Sequence, residues 1–145
     1  MDMKAYMDKD LHHLESGVKD LSTNITHWDT DKVFQKAKEM FDAFSRRFQL
    51  EDYLLCKITP NAQLCPGIEK FLKRRRELRA VLENILTLHA DEPEFRKEIS
   101  DVIAMIEKHI RYREIEFYPQ VIDHLPAADL TRMEKALEAR VQAGI

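Results

Sequence analysis

Glycine and proline are scarce, 3 and 5 of 145 residues. So few turn-formers leave little material for the tight reversals of an all-β protein. No apolar run approaches the ~18 residues of a membrane span, and the opening MDMKAYMDKD lacks the apolar stretch of a secretory signal. With two cysteines and no export signal, a reduced, cytoplasmic protein is expected. Charge of one sign is not in excess: 23 Lys and Arg stand against 26 Asp and Glu, a net −3. That balance gives no reason to expect nucleic acid or a membrane surface as partner. Also missing are a phosphate-binding glycine loop, a nucleophile elbow and a spaced Ser/His or Cys/His pair. No catalytic residue is therefore expected, and the chain reads as a non-enzyme. What is present, 44% hydrophobic residues in one domain's length, supports a single core-forming domain over 1–145.

Helical periodicity fills the chain. Met7, Leu11, Leu14, Val18, Leu21 and Ile25 recur in steps of four and three, the seam of a first helix. The pattern stops at Thr26–Asp29, where Asp29 or Thr30 suits an N-cap and Asp31 a first turn. A second helix is expected to about Ile58, with Val33, Ala37, Met40, Phe44, Phe48, Leu54, Leu55 and Ile58 inward, and Pro60 breaking it. A third starts near Pro66 and carries Ile68, Phe71, Leu72, Leu78, Leu82, Ile85 and Leu86. Asp91 is a candidate cap for a fourth, which carries Phe95, Ile99, Val102, Ile103, Ile106, Ile110 and Phe117 until Pro119 kinks or ends it. Asp129 is a candidate cap for a last stretch with Leu130, Met133, Leu137 and Val141. Short connections favour antiparallel neighbours. The expected fold is all-α, an up-down-up-down four-helix bundle with a short C-terminal fifth helix.

The informative positions are polar interruptions of these stripes. Arg47 and Glu51 interrupt the second, Arg75 the third, and His109 and Arg113 the fourth. Burying charge is costly unless each group is paired, and the middle of a bundle is where cofactor and metal sites are built. Any one of the five alone reads equally as a flank position that snorkels to water.

The segments KDLHHLESGVKDL, RFQLEDYLL, KRRRELRAVLENIL and HIRYREIEFYP, with LPAADLTRMEKALEAR after them, resemble the hemerythrin-like family with its HHE cation-binding domain. The resemblance implies a four-helix bundle and a non-haem di-iron site of His and carboxylates. At the positions it implies for ligands, Glu51 and His109 are retained, while Leu11, Arg47, Arg75 and Arg113 replace the rest. Arginine stays protonated and offers no lone pair to a metal. No metal and no cofactor are expected on this reading. If any metal were held, Glu51 and His109 would hold it, with non-haem iron as the alternative cofactor. His12 and His13 read as a solvated flank that a small rotation of the first helix would turn inward. His27, His89 and His124 fall near helix ends.

Three functions stay open. In the first, the bundle has replaced its metal with an Arg/Glu/His cluster and serves as a regulatory, sensing or interaction module. There Glu51 pairs with Arg75 or Arg113, and His109 bridges by a hydrogen bond. In the second, Arg47, Arg75, Arg113, Glu51 and His109 form an anion site: three guanidiniums less one carboxylate leave +2, which a small anion would complete unless Glu77 or Glu114 turned inward. The third is the inherited one, a non-haem iron protein that senses oxygen or nitric oxide, or handles iron, with unorthodox ligands. The partner is thus a protein or a small anion, and a homodimer is left open. Cys56 and Cys65 read as two small buried or half-buried thiols, a reversible disulfide being the alternative, and Lys73–Arg76 as a mostly solvated face.

Overall fold

In the computed structural model, which describes residues 1–89 and 91–144, every regular element is helical and no strand occurs among the described residues. α1 (Met3–Asn24) starts behind Asp2, whose carboxylate accepts from the N–H of Ala5 at 3.0 Å. α2 (Thr30–Leu55) starts behind Asp29, which accepts from the N–H of Lys32 at 2.8 Å, with Asp31 in the first turn. It stops at Leu55, three residues short of Ile58, and turns follow. α3 (Cys65–Asn84) opens with Pro66 in its first turn, where a missing N–H costs nothing. α4 (Phe95–Tyr112) passes into a π-helical turn, Arg113–Phe117, and a last single turn, α5 (Tyr118–Gln120). α6 (Ala127–Gln142) ends the fold. No helix among the described residues is long and apolar enough to cross a membrane.

Three sequence assignments need correction. Asp91 is not the cap of α4, which begins at Phe95 behind Glu94, itself without a side-chain cap bond. Asp129 is not the cap of α6, a place taken by Pro126. It lies buried inside the first turn and accepts from the Thr59 hydroxyl at 3.0 Å, from the Thr59 N–H at 3.3 Å, and from Arg132. These charge-assisted bonds fasten α6 to the loop after α2, a stronger use of the carboxylate than an exposed cap. Of the two alternatives at Pro119, a kink or an end, the end of regular α-helix lies earlier, at Tyr112, and a π turn follows before the proline. There the N–H of Tyr118 reaches back to the carbonyl of Arg113, an i→i+5 bond. Proline clashes with the carbonyl four residues before it, and a widened turn upstream relieves that clash. Val141 is exposed, so the buried side of α6 is Met133, Ala136 and Leu137. The placing of Leu86 on the third stripe lies outside the described side chains.

α1 packs on α2 and α4, α3 on α4, and α6 on α1 and α2. The main core joins Val18 and Leu21 of α1, Val33, Ala37 and Phe44 of α2, Leu78 and Leu82 of α3, and Phe95, Ile99 and Ile106 of α4. A smaller core under α6 joins Met3, Met7 and Leu54 to Met133, Ala136 and Leu137. Arg96 ties the start of α4 to the end of α1, donating to the carbonyls of Ile25 and, at 3.0 Å, Trp28. Ile25 is the C-cap of α1, where carbonyls lack partners within the helix, so the contact satisfies its carbonyl. Trp28 lies in the turn before α2.

Candidate functional site

α2 sets Arg47 and Glu51 one turn apart on its inward face, α3 contributes Arg75, the end of α4 His109, and the π turn Arg113. All five are buried, between 1 and 8% exposed. The structure therefore brings together the whole group of stripe interruptions. Glu51 is the hub. Its Oε2 accepts from Nε of Arg47 at 3.1 Å and from Nη1 of Arg113. Its Oε1 accepts from Nη2 of Arg113 at 3.0 Å and from Nη1 of Arg75 at 3.3 Å. Arg113 thus grips the carboxylate with both arms of its fork. A carboxylate has about four lone-pair positions, and these four donors fill them.

Two acidic residues that sequence reasoning passed over complete the layer. Arg47 Nη1 donates to Asp10 of α1 at 2.7 Å and to the carbonyl of Met7 at 3.1 Å. Arg75 Nη2 donates to Asp52, next to the hub on α2. The excess of +2 counted from the stripes is therefore cancelled by Asp10 and Asp52. Glu77 and Glu114, which would have balanced the charge had they turned inward, are exposed. The overlooked signal is an acidic residue beside a stripe position: Asp10 precedes Leu11, and Asp52 follows Glu51. Arginine is long enough to be buried along its stem and to place its head at such a flank.

Aromatic rings enclose the charges. Arg75 lies 5.4 Å from the Phe48 centroid and 5.7 Å from that of Phe71. Arg113 lies 4.9 Å from Phe71, and Phe71 stacks on Phe117 at 3.9 Å. Guanidinium over a ring face is favourable and more so when water is excluded. Burial alone would raise the pKa of Glu51. Arg113, Arg47 and Arg75 outweigh that and pull it down to about 2, so the hub is ionised at neutral pH. His109 behaves oppositely: burial, and next the charge of Arg113, push its pKa down to about 3, leaving a neutral imidazole. Its Nε2 has no hydrogen-bond partner among the described residues. It packs 6.2 Å from Phe71 and does not form the bridge to Glu51 expected from the sequence.

The donor chemistry does not fit a di-iron centre. Leu11 is buried and inert, three of the implied ligand positions carry guanidinium groups, and Glu51 has no lone-pair position to spare. No three His, Cys, Asp or Glu side chains among the described residues are grouped so as to hold a metal ion. His12 and His13 are exposed on α1, as are His27, His89 and His124 near helix ends. Cys56 is exposed rather than buried and Cys65 half-buried, both as free thiols. In the run Lys73–Arg76, Arg75 alone is buried. Comparison of the chain with protein-family models, with curated proteins and with solved structures found no match.

Proposed function

We propose that the chain is a single hemerythrin-like domain, an up-down-up-down four-helix bundle with α6 laid against it. In this reading an arginine–carboxylate network stands where the family has its metal. The protein then works as a non-enzymatic regulatory or interaction module rather than in oxygen, nitric oxide or iron chemistry. The observation that carries the reading is the saturation of Glu51, the one carboxylate at a ligand-equivalent position, by three guanidinium groups. A metal would have to displace them and then sit among three buried positive charges. The anion-sensing alternative drew its force from unbalanced charge. With Asp10 and Asp52 included, three arginines meet three carboxylates.

Iron analysis of protein grown in iron-supplemented medium tests this reading. The wild type should carry negligible iron, and stoichiometric iron would overturn the proposal. A variant combining Leu11→His, Arg47→His, Arg75→His and Arg113→Glu serves as the positive control. Each replaced side chain is buried beside the hub or on the same inward faces, and imidazole removes positive charge while adding a donor.

A further inference from the structure

We propose that the groove between α3 and α4 is the docking site for an acidic, amphipathic helix of a partner protein. The inference rests on the interaction-module reading and supplies its binding surface. The groove encloses about 540 Å³ and runs along residues 105, 108, 109, 112 and 115 of α4 and its π turn, opposite Arg74 and Leu78 of α3. Those positions follow the i, i+3, i+4, i+7 rhythm of a helical face, so the trough has the length and direction to receive a third helix.

Its lining mixes apolar and cationic side chains: along the α4 wall Met105 and Ile115 stand toward the two ends, with Lys108 and Arg111 between them. Ile115 is 70% exposed and Met105 42% exposed, two large apolar side chains held in water at the same groove. Ile115 lies in the π turn, where the rotation per residue differs from that of α4. Ten residues apart, about 15 Å along the helix, Met105 and Ile115 bracket one trough rather than lie scattered over the surface. Around them Arg74, Lys108 and Arg111 make no ion pair among the described residues. Of the two carboxylates present, Glu116 is already held by Lys70 at 2.5 Å, so three cations face Glu77 alone.

Charge complementarity therefore selects a ligand with an apolar stripe flanked by Asp or Glu. A second copy of this chain fits poorly, because a two-fold contact would set these cations against their own images. The buried lining residues are Leu78 and His109, and His109 packs 6.2 Å from Phe71, the ring over which Arg113 lies. Occupancy is thus placed to bias the packing of Arg113 and Phe71.

The test uses isotope-labelled full-length protein and two synthetic helical peptides of about 18 residues. One has a leucine stripe flanked by glutamates, and the other has each glutamate replaced by lysine. Amide shifts confined to the groove with the glutamate peptide, and none with the lysine peptide, are the expected result. Ile115→Ser and Arg111→Glu each weaken binding about tenfold or more. Both residues are exposed, so an unchanged thermal midpoint establishes that each variant is folded. Equal binding of the lysine peptide, shifts outside the groove, or concentration-dependent groove shifts without peptide overturn the proposal, the last by showing self-association. Iron analysis separates the two readings: iron in the wild type removes the module reading, whereas no iron and no peptide binding removes this inference alone.

Discussion

Around Ile99 the buried side chains through which the helices meet are apolar, whereas around Glu51 the same helices meet through buried charge. Val18 and Leu21 of α1, Val33 and Ala37 of α2, Leu82 of α3 and Ile99 of α4 fill the first region with no polar group among them. The second is built from Asp10, Arg47, Glu51, Arg75 and Arg113. Apolar burial is non-directional, so such a layer tolerates many substitutions of similar volume. A saturated buried carboxylate is the opposite, since each donor has one place and removing the hub strands several charges at once. The charged region therefore contributes little net stability over an apolar equivalent, and a steep penalty when broken.

Glu51→Gln should produce the largest effect. It removes the shared negative charge while Arg47, Arg75 and Arg113 stay buried, a change of about 3–5 kcal/mol in unfolding free energy. Denaturant midpoints give the number, and a loss below ~0.5 kcal/mol would show the layer to be solvated and the contrast false. Leu82→Ala, in the apolar region, should cost about 2–5 kcal/mol. Size alone does not separate the two, but pH does. Because the carboxyl of Glu51 is lowered to about 2, its stabilisation is complete above its unfolded value near 4.5 and is lost as pH falls toward 2. The Glu51→Gln penalty should shrink steadily below pH 4.5. The Leu82→Ala penalty should not follow it, and parallel decline of both would break the comparison.

His109 sharpens the same contrast at milder pH. Its folded pKa, about 3, lies below the unfolded 6.5, so the unfolded chain takes up a proton that the folded one refuses. Stability is complete above 6.5 and falls as pH drops through that window, by about 1.4 kcal/mol per pH unit. His109→Leu should flatten the profile between pH 6.5 and 4.5 while leaving the decline set by Glu51 below it, of the same slope for one proton. A profile identical to wild type would show that the imidazole is not held neutral.

The two regions also differ in how legible they were. Helical stripes are a strictly local pattern, and a polar residue on a stripe declares its direction, so Arg47, Glu51, Arg75, His109 and Arg113 could be placed inward from spacing alone. Partners across helices are not local. Nothing near Asp129 in sequence announces Thr59, 70 residues away, so a buried latch looked like a cap. Asp10 and Asp52 sit one position off the stripes, where the helical pattern assigns them to solvent although arginine reaches them. Pro119 signalled a disruption correctly, but its relief by a π turn is a backbone response upstream, which side-chain periodicity does not encode.

The smallest effects should come from the rim of the charged region. The side chains of Asp10 and Asp52 are 40% and 54% exposed, so water screens their attraction for Arg47 and Arg75 and replaces them when they are lost. Asp10→Asn and Asp52→Asn should each cost only about 0.2–1 kcal/mol. Their combination is more telling than either alone, because it restores the +2 imbalance that an anion would complete. Phosphate, sulfate or a small carboxylate at fixed ionic strength should then raise the thermal midpoint of the double variant but not that of the wild type. Equal stabilisation of both proteins would mean that Asp10 and Asp52 do not close the charge balance, and that the wild-type layer itself takes an anion. A double variant as stable as wild type and indifferent to anions would place the guanidinium heads in water, outside the layer.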